Sequence, residues 1–304
     1  MKDLLSLRDL TTDEVAGLLD SADEFKAREA GSGCEPLLVD RPVGLAFGAR
    51  GFRTRATFQL ALRELGAIDI DLALNLDGNE PPADIAGYLE QWLHALVIRT
   101  PSHETLQVLA AASKFPVINA MTGEEHPCEV LADTQTIRER LGDLGAVKVV
   151  FVGGATNLCR SWFHMAARSA LNLTQIAPEG YAIEPDTLAL ARNDGGGDVD
   201  VVHDLATAVQ DADIIYTDGW PAPAPGQTPT DRDDAFRPFQ VTAEVMRFAP
   251  PSCVVMPCPP ATRGEEIAAE VLDSPWFIGY GAKVNLLHMH KAILVAALDE
   301  AASS

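Results

Sequence analysis

The sequence predicts an α/β protein built from two doubly wound parallel-sheet domains. Its 304 residues exceed what one hydrophobic core usually supports, because cores stop growing near about 250 to 300 residues. Short apolar segments recur along the whole chain, and segments with apolar residues at three- and four-residue spacing separate them. This alternation of strands and helices predicts right-handed βαβ units and therefore parallel sheets.

The predicted strands are short runs rich in valine, isoleucine and leucine, each bounded by turn residues. In chain order they are 43–47, 68–74, 95–100, 116–120, 148–154, 173–178, 199–204, 213–218 and 253–258. The predicted helices between and after them include 55–66, 83–94, 104–113, 128–142 and 284–302. Each half of the chain thus has enough strands and helices for a sheet of its own.

The division between the halves is predicted at "GDLGAVK", which follows the helical segment 128–141. We predict a first domain over 1–142, completed by the C-terminal helix 285–304, and a second domain over 143–284. The Pro-rich segment 219–234 is too long for a tight turn, so we predict an active-site loop or lid there.

Charge and cysteine usage restrict the class of protein. With 44 acidic and 23 basic side chains the formal net charge is -21, which argues against a nucleic acid or an anionic membrane as partner. The five cysteines show no paired spacing, which favours a reducing compartment, and no cluster has the spacing of a metal site. Neither a membrane span nor a signal peptide is evident, so we expect a soluble cytoplasmic protein.

Candidate binding residues follow the predicted strands, where ligands bind in open parallel sheets. The stretch "FGARGFRTRATF" places Arg50, Arg53 and Arg55 at the start of a helix, where cations oppose the helix dipole. A bound anion would compensate them, and Arg99 at the end of the third strand adds a fourth positive charge. The alternative is that these arginines lie on the surface, paired with local carboxylates.

Other strand-end residues are open to two interpretations each. His126 stands before a helix, where a neutral imidazole can donate a hydrogen bond to a substrate carbonyl or can be purely structural. The turn "FVGGATNLCRS" lacks the third glycine of a dinucleotide fingerprint, which favours a small-molecule contact by Asn157 over NAD binding. Cys258 is either a functional thiol or a small buried hydrophobe.

Several motifs, in order along nearly the whole chain, resemble the aspartate/ornithine carbamoyltransferase family, and most closely its ornithine branch. The stretches that carry the resemblance are "LLSLRDLTTDEVAGLLDSADEFK", "FGARGFRTRATFQLA", "ALVIRTPSHETLQVLA", "PVINAMTGEEHPCEVLADTQTI", "KVVFVGGATNLCRS", "YTDGW", "MPCPPATRGEEI" and "NLLHMHKAIL". The resemblance implies a carbamoyltransferase that works as a homotrimer with active sites between subunits, and it implies no metal and no organic cofactor.

The resemblance also implies site residues. Carbamoyl phosphate is expected to contact Arg50, Gly51, Phe52, Arg53, Thr54, Arg55, Arg99, His126 and Glu129. The amino-acid or amine acceptor is expected to contact Asn157, Asp218, Cys258 and Pro259. Direct parts in the chemistry are implied for Arg99, His126, Cys258 and Arg263.

The sequence departs from the family pattern within the site itself. Gly51 and Phe52 stand in place of hydroxyl residues, and Glu129 replaces a glutamine. Leu286 replaces an arginine of the last helix, and the Ala222, Pro223, Ala224 run and Pro257 also differ. A carboxylate at position 129 repels a phosphoryl group, so we expect Glu129→Gln to strengthen carbamoyl phosphate binding.

Two classes of function remain open at this point. The first is a carbamoyltransferase that uses carbamoyl phosphate and an ornithine-like or other amino-acid or amine acceptor, in amino-acid or specialised biosynthesis. The second is a homologue that has lost this activity and serves as a binding or regulatory protein, or that uses a different acyl-phosphate donor. The arginines, His126, Asn157 and Asp218 favour the transferase.

Overall fold

The computed structural model describes residues 1–29, 35–48, 51–74, 76, 78–223 and 226–303. The chain divides into two compact units. The first comprises Met1–Ile137 and Lys283–Ser304, and the second comprises Arg138–Ala282. Each unit contains one parallel sheet, so the predicted α/β architecture with two parallel sheets is confirmed.

The first unit has a four-stranded sheet. Its strands are β1 (Pro42–Phe47), β2 (Ile68–Asp71), β3 (Ala95–Arg99) and β4 (Val117–Met121), in the order β2-β1-β3-β4. The helices are α1 (Thr12–Glu29), α2 (Phe52–Glu64), α3 (Pro82–Leu89), α4 (His103–Ala112), α5 (Pro127–Leu141) and, after the second unit, α13 (Asn285–Ser303). The end of α5, residues 138–141, falls in the second unit. A short 3₁₀ turn precedes α1 at Leu7–Asp9.

Burial along these strands explains their composition. Strands β1, β3 and β4 are buried along nearly their whole length, which requires continuous apolar runs in a parallel sheet. The edge strand β2 instead reads "IDID" and exposes Ile68. Its two aspartates discourage pairing with another strand, a usual feature of sheet edges.

The last helix belongs to the first unit. α13 packs on α1 and α2, and its inner face includes Lys291, which has no solvent exposure. The Lys291 ammonium pairs with the carboxylates of Glu64 and Glu29. Because a buried charge is tolerated only when it is paired, these contacts are part of what fixes α13 in place.

The second unit has a five-stranded sheet. Its strands are β5 (Lys148–Val152), β6 (Asn172–Ile176), β7 (Val199–Val202), β8 (Ile214–Thr217) and β9 (Val254–Pro257), in the order β7-β6-β5-β8-β9. The helices are α6 (Asn157–Ala167), α7 (Pro185–Asp194), α8 (Leu205–Ala208), α9 (Pro229–Phe236), α10 (Ala243–Phe248), α11 (Ala269–Leu272) and α12 (Gly279–Ala282), with 3₁₀ turns at Leu144–Ala146 and Arg237–Phe239.

The core of the second unit is formed by buried residues of its strands and of the helices against them. Val150, Ile215 and Val255, one from each of β5, β8 and β9, are completely buried in one apolar cluster. The edge strand β7 carries an aspartate, as β2 does in the first unit. Within the described part of the chain, none of the helices combines the length and apolar character that crossing a membrane requires.

Candidate active site

In the first unit the chain order reverses between β1 and β3, which lie side by side. Phe47, the last residue of β1, is opposite Arg99, the last residue of β3. The segment after β1 leads into α2, so the beginning of α2 and the Arg99 side chain belong to the same edge of the sheet. Ligands of open parallel sheets bind at such a reversal, beyond the carboxyl ends of the strands.

Gly51 brings Arg99 against the beginning of α2. Gly51 caps this helix with φ of 84°, in the left-handed region that favours glycine. A Cβ atom at this position would lie 2.5 Å from Nη1 of Arg99. The guanidinium therefore occupies the space that a larger residue at position 51 would fill.

The first turn of α2 has the properties of an anion site. It contains no acidic residue, and its N-cap residue, Gly51, has no side chain to bond the backbone N–H groups. Unpaired N–H groups and the positive end of the helix dipole both favour a bound anion. With the Arg99 guanidinium beside them, they form a surface suited to phosphate oxygens.

The other predicted residues of α2 differ in their surroundings. The Phe52 side chain is 69% exposed, and the Arg53 guanidinium carbon lies 4.5 Å from the centre of its ring. Thr54 is buried. Arg55 forms an ion pair with Asp71, with 2.7 Å between Nη2 and Oδ2. A local carboxylate thus compensates Arg55, and Arg50 lies outside the described residues.

His126 is a buried, neutral imidazole immediately before α5. The loop that presents it is closed by two hydrogen bonds, from Thr122 N to the Glu125 carbonyl at 2.8 Å and from Glu125 N to the Thr122 hydroxyl at 3.2 Å. Burial lowers the pKa of His126 to about 4; the Glu129 carboxylate opposes this shift, and the Arg99 charge adds to it. At neutral pH the ring is therefore uncharged and keeps one N–H for donation.

Glu129 is paired with a lysine. Oε1 of Glu129 is 2.7 Å from Nζ of Lys283, and its Oε2 is 3.8 Å from Nε2 of His126. Burial raises the pKa of Glu129, but the Lys283 ammonium, helped by His126, lowers it to about 2. The carboxylate is thus ionised and paired with a cation, which reduces the repulsion that it would exert on a phosphate.

Lys283 is a residue that sequence reasoning missed. Its Nζ also lies 2.6 Å from Oδ1 of Asp133. A signal was available, because Lys283 stands just before the motif of the last helix in which Leu286 replaces an arginine. Leu286, which stands where the family motif has an arginine, is a buried apolar residue. It therefore supplies no positive charge at position 286.

In the second unit the chain order reverses between β5 and β8. Gly153 and Gly154 follow β5, and a Cβ on Gly154 would lie 2.8 Å from the ring of Pro221. Asn157 is the first residue of α6, whose cap is the Thr156 hydroxyl. The Asn157 side-chain oxygen accepts from the Leu158 N–H at 2.9 Å. Asn157 therefore lies at this strand end, as predicted.

Asp218 and Cys258 follow neighbouring strands. Thr217 of β8 is opposite Pro257 of β9, and the Cys258 N–H donates to the Thr217 carbonyl at 2.8 Å. Oδ1 of Asp218 accepts from the Gly219 N–H at 2.9 Å. The Cys258 thiol is buried, 3.9 Å from the carbonyl of Pro259. The structure thus brings the predicted acceptor residues of β8 and β9 to one edge of the sheet.

Arg263 has different surroundings from the other predicted catalytic residues. Its two terminal nitrogens donate to both carboxylate oxygens of Asp273, at 2.9 and 2.8 Å. The side chain is 46% exposed, and Nη1 also donates to the Ala269 carbonyl. This geometry assigns Arg263 to holding its own loop, and it gives no support to the predicted catalytic role.

The Pro-rich segment is partly helical, contrary to its prediction as a loop throughout 219–234. Helix α9 begins at Pro229, and a reciprocal capping box between Thr228 and Asp231 fixes its start. Before it, the Trp220 ring packs at 5.8 Å from Phe236, and Arg232 lies above the same ring. Ala224 lies outside the described residues.

Across the residues that the structure describes, no three or more His, Cys, Asp or Glu side chains are arranged to hold a metal ion.

Comparison with known families gives one match for each half of the chain. Residues 2–139 match the family described as "Aspartate/ornithine carbamoyltransferase, carbamoyl-P binding domain". Residues 146–297 match "Aspartate/ornithine carbamoyltransferase, Asp/Orn binding domain". Together the two matches span most of the sequence.

Individual relatives are similar over nearly their full length. The ornithine carbamoyltransferase of Methanothermobacter thermautotrophicus is 37% identical over 300 residues, covering 97% of this chain and 98% of the relative. That of Symbiobacterium thermophilum is 39% identical, with 96% of each chain covered.

Solved structures give the same result. The ornithine carbamoyltransferase from Pyrococcus furiosus superposes with a TM-score of 0.92 at 34% identity, covering 98% of this chain and 97% of the other. The enzyme from Gloeobacter violaceus superposes with a TM-score of 0.88, also at 34% identity, covering 98% and 99%.

Proposed function

We propose that this chain, which belongs to the aspartate/ornithine carbamoyltransferase family, moves the carbamoyl group of carbamoyl phosphate to the amino group of an amino acid. Ornithine is the first acceptor to consider, because relatives that cover almost the whole chain carry that name. The observation that carries the proposal is the Arg99 guanidinium against the uncapped first turn of α2, near a neutral His126.

The donor phosphate is bound by positive groups of the first unit. The backbone N–H groups at the beginning of α2 and the guanidinium groups of Arg53 and Arg99 are matched to phosphate oxygens. Charge-assisted hydrogen bonds of this kind contribute about 1.5 to 3 kcal/mol each. Together they replace the hydroxyl donors that Gly51 and Phe52 lack.

The carbonyl oxygen of the donor receives a hydrogen bond from His126. The imidazole is uncharged at neutral pH because burial lowers its pKa to about 4. A neutral ring N–H donates without giving up its proton, so the developing oxyanion is stabilised and stays unprotonated. Donors held in place before the reaction supply most of such stabilisation, since they need no rearrangement.

The transfer itself joins nitrogen to carbon and releases phosphate. The lone pair of the neutral acceptor amine attacks the carbonyl carbon and forms the new C–N bond. The C–O bond to phosphate then breaks, and phosphate leaves with that electron pair. One proton of the former amine is lost to phosphate or water. The product is a ureido compound.

The acceptor is assigned to the second unit. The Asp218 carboxylate is suited to an α-ammonium group, and the Asn157 amide can donate to a carboxylate. Cys258 stands at the neighbouring strand end, where we place the attacking amine. The altered segment around Ala222 and Pro223 is the part of the acceptor site that departs from the ornithine branch.

The family resemblance also suggests a homotrimer. Exposed apolar side chains of the first unit, among them Leu60, Ile68, Tyr88 and Trp92, are compatible with contacts between copies. Light scattering should then give three times the chain mass of 32.5 kDa. A monomer at micromolar concentration would remove this part of the proposal.

The test follows the carbamoyl carbon. Carbamoyl phosphate labelled with ¹³C is incubated with the protein and ornithine, and then with a panel of other amino acids and amines, while ¹³C NMR detects the ureido carbon. We expect acceptor-dependent formation of this signal together with phosphate release. Phosphate release at the spontaneous rate with every acceptor, despite intact protein, would contradict the proposal.

A pair of variants connects the activity to the proposed site. Arg53→Ala removes a phosphate ligand and should abolish the reaction. Cys159 is buried in α6 of the second unit, whereas the proposed phosphate ligands belong to the first, and Cys159→Ala should leave turnover nearly unchanged. Equal effects of the two substitutions would show that the site is misplaced. Binding of carbamoyl phosphate without turnover would instead favour the binding-protein alternative.

A further inference from the structure

A single ammonium group bridges two carboxylates on one face of α5. Nζ of Lys283 lies 2.7 Å from Glu129 and 2.6 Å from Asp133. The two acidic residues are four positions apart, so their side chains lie one turn apart on the same side of the helix. The side chains are 5% and 0% exposed, and that of Lys283 is 16% exposed.

The position of Lys283 is fixed by its neighbours at the beginning of α13. The side-chain amide of Asn285 donates to the Thr136 hydroxyl at 2.9 Å, and its oxygen accepts from Lys26 at 2.9 Å. Asn285 is buried. Lys283 therefore approaches α5 from an anchored segment, and its ammonium is held where the carboxylates need it.

The charge of Glu129 acts at the donor site. Its Oε2 is 3.8 Å from Nε2 of His126, and His126 is close enough to Arg99 for that guanidinium to affect its pKa. An ionised carboxylate in this place, without a cation of its own, would offset the attraction of Arg99 for an anion. Burial makes the offset larger, since solvent screens it less.

We propose that Lys283 is a positioning residue of the donor site: it neutralises Glu129 and holds its carboxylate beside His126, so that the positive charge of Arg99 stays available to the donor phosphate. This inference rests on the proposed binding of carbamoyl phosphate. It assigns Lys283 no contact with the substrate. The Glu129 and Lys283 pair then carries no net charge, as a neutral side chain at position 129 would.

Loss of Lys283 should make the donor site sensitive to pH. Burial raises the pKa of Glu129, and Lys283 is the strongest of the charges that lower it to about 2. The other groups that act on this carboxylate or share its lysine are His126, just before α5, Asp133 on α5 and His290 on α13, and Arg99 acts in turn on His126. Without Lys283, the Glu129 pKa should rise toward the neutral range.

The experiment is a cycle of four proteins titrated with carbamoyl phosphate in a calorimeter: the wild type, Lys283→Met, Glu129→Gln and the double variant. We expect Lys283→Met to weaken binding at least tenfold in the wild type and less than threefold in the Glu129→Gln background. Lys283→Arg should stay within threefold of the wild type. The KM for the acceptor should not change.

A pH series separates this role from a structural one. Between pH 8 and pH 6, the affinity of Lys283→Met should recover toward that of the double variant as Glu129 becomes protonated. Titration of the ligand cancels in this comparison, because both proteins bind the same compound. Lys114→Met, which breaks an exposed ion pair with Glu90, is the matched control and should leave affinity unchanged.

Each outcome decides the inference. An equal loss in both backgrounds means that Lys283 only supports the fold, which overturns the proposal. Tight binding by Lys283→Met overturns it as well and leaves the proposed function intact. No binding by the wild type overturns both. If Lys283→Met does not fold, Lys283→Gln removes the charge while keeping a hydrogen-bond donor, and the same pattern is expected.

Discussion

The strand-end regions of the two units use different chemistry on the same architecture. In the first unit, buried titratable and charged side chains surround the sheet edge, and His126, Glu129 and Lys283 act on one another electrostatically. In the second unit, the corresponding edge has two glycines, an asparagine at a helix start, and Asp218 beside Cys258. The first arrangement suits a phosphorylated donor, and the second suits an amino acid.

The two edges should therefore differ in how strongly they respond to mutation. Removing one charge from the first unit alters the balance of a coupled set, so donor binding should respond strongly. Changes at the second edge act on separate groups and should affect only the acceptor. Substitutions at the two edges should therefore differ in whether they alter donor affinity or acceptor KM.

Arg99→Ala should weaken carbamoyl phosphate binding at least a hundredfold. The substitution removes a guanidinium that would make charge-assisted hydrogen bonds to the donor, and two such bonds together are worth about 3 kcal/mol or more. Calorimetric titration measures the effect. Arg63→Ala, on the exposed side of α2, serves as the control and should bind normally. Equal affinities of the two variants would contradict the assignment.

Asp218→Asn should raise the KM of the acceptor about thirtyfold and leave the affinity for carbamoyl phosphate unchanged. The amide has the shape of the carboxylate but lacks the charge that would hold an α-ammonium group, a loss of about 2 kcal/mol. Steady-state kinetics with the donor saturating measures this effect. A comparable loss of donor affinity would break the proposed division between the two edges.

Gly51→Ala should weaken donor binding about tenfold. The added methyl meets the Arg99 guanidinium and displaces it, while the positive φ costs about 1 to 2 kcal/mol of stability. Gly142→Ala carries a similar φ of 82° with no atom within 4 Å of the new methyl. Both variants should lose thermal stability, but only Gly51→Ala should lose affinity, and an identical affinity in both would refute the contact.

Acid should destabilise the first unit through its buried histidines. Burial lowers the pKa of His290 to about 3, against an ordinary value of 6.5. The unfolded chain therefore binds one more proton between these two values, and stability falls as the pH drops below 6.5. In the second unit, burial raises the pKa of Glu266. The contribution of Glu266 to stability therefore increases as the pH falls, opposite to that of His290.

His290→Gln should therefore reduce the fall in melting temperature that occurs between pH 7 and pH 5. The stability of the variant relative to the wild type should increase steadily as the pH falls. Thermal unfolding at several pH values measures this, with the exposed His94→Gln as control. Parallel curves for His290→Gln and the wild type would show that His290 is charged or solvated in the folded protein.

Arg263→Ala should have the smallest effect, less than threefold on turnover and on either KM. The guanidinium is engaged by Asp273 and is half exposed. A fall in turnover of more than tenfold would restore Arg263 to the catalytic residues.

Much of the fold follows from sequence pattern alone. Parallel strands buried on both faces need continuous apolar runs, which made strands such as β1, β3 and β5 recognisable, and the motifs sufficed to identify the family. The helix at Pro229 was missed because its proline-rich approach suggested a loop. Its capping pair, Thr228 and Asp231, was the signal that would have revealed it.

The site was predictable only in part, because ion pairs between distant residues leave no local pattern. Arg53 and Arg99 could be proposed as site residues from their places after strands. The partners of Glu129 and Arg263 were not, since Lys283 is distant in sequence and Asp273 stands among ordinary surface acids. The charge of a residue can be read from sequence, but whether a neighbour neutralises it depends on packing.

The most direct test is calorimetric titration of the wild-type protein with fresh carbamoyl phosphate, in parallel with Arg99→Ala and Asp218→Asn. We expect saturable binding at millimolar ligand or below for the wild type and Asp218→Asn, and none for Arg99→Ala. Folded wild-type protein that releases no heat, or Arg99→Ala that binds as tightly as the wild type, would contradict this expectation.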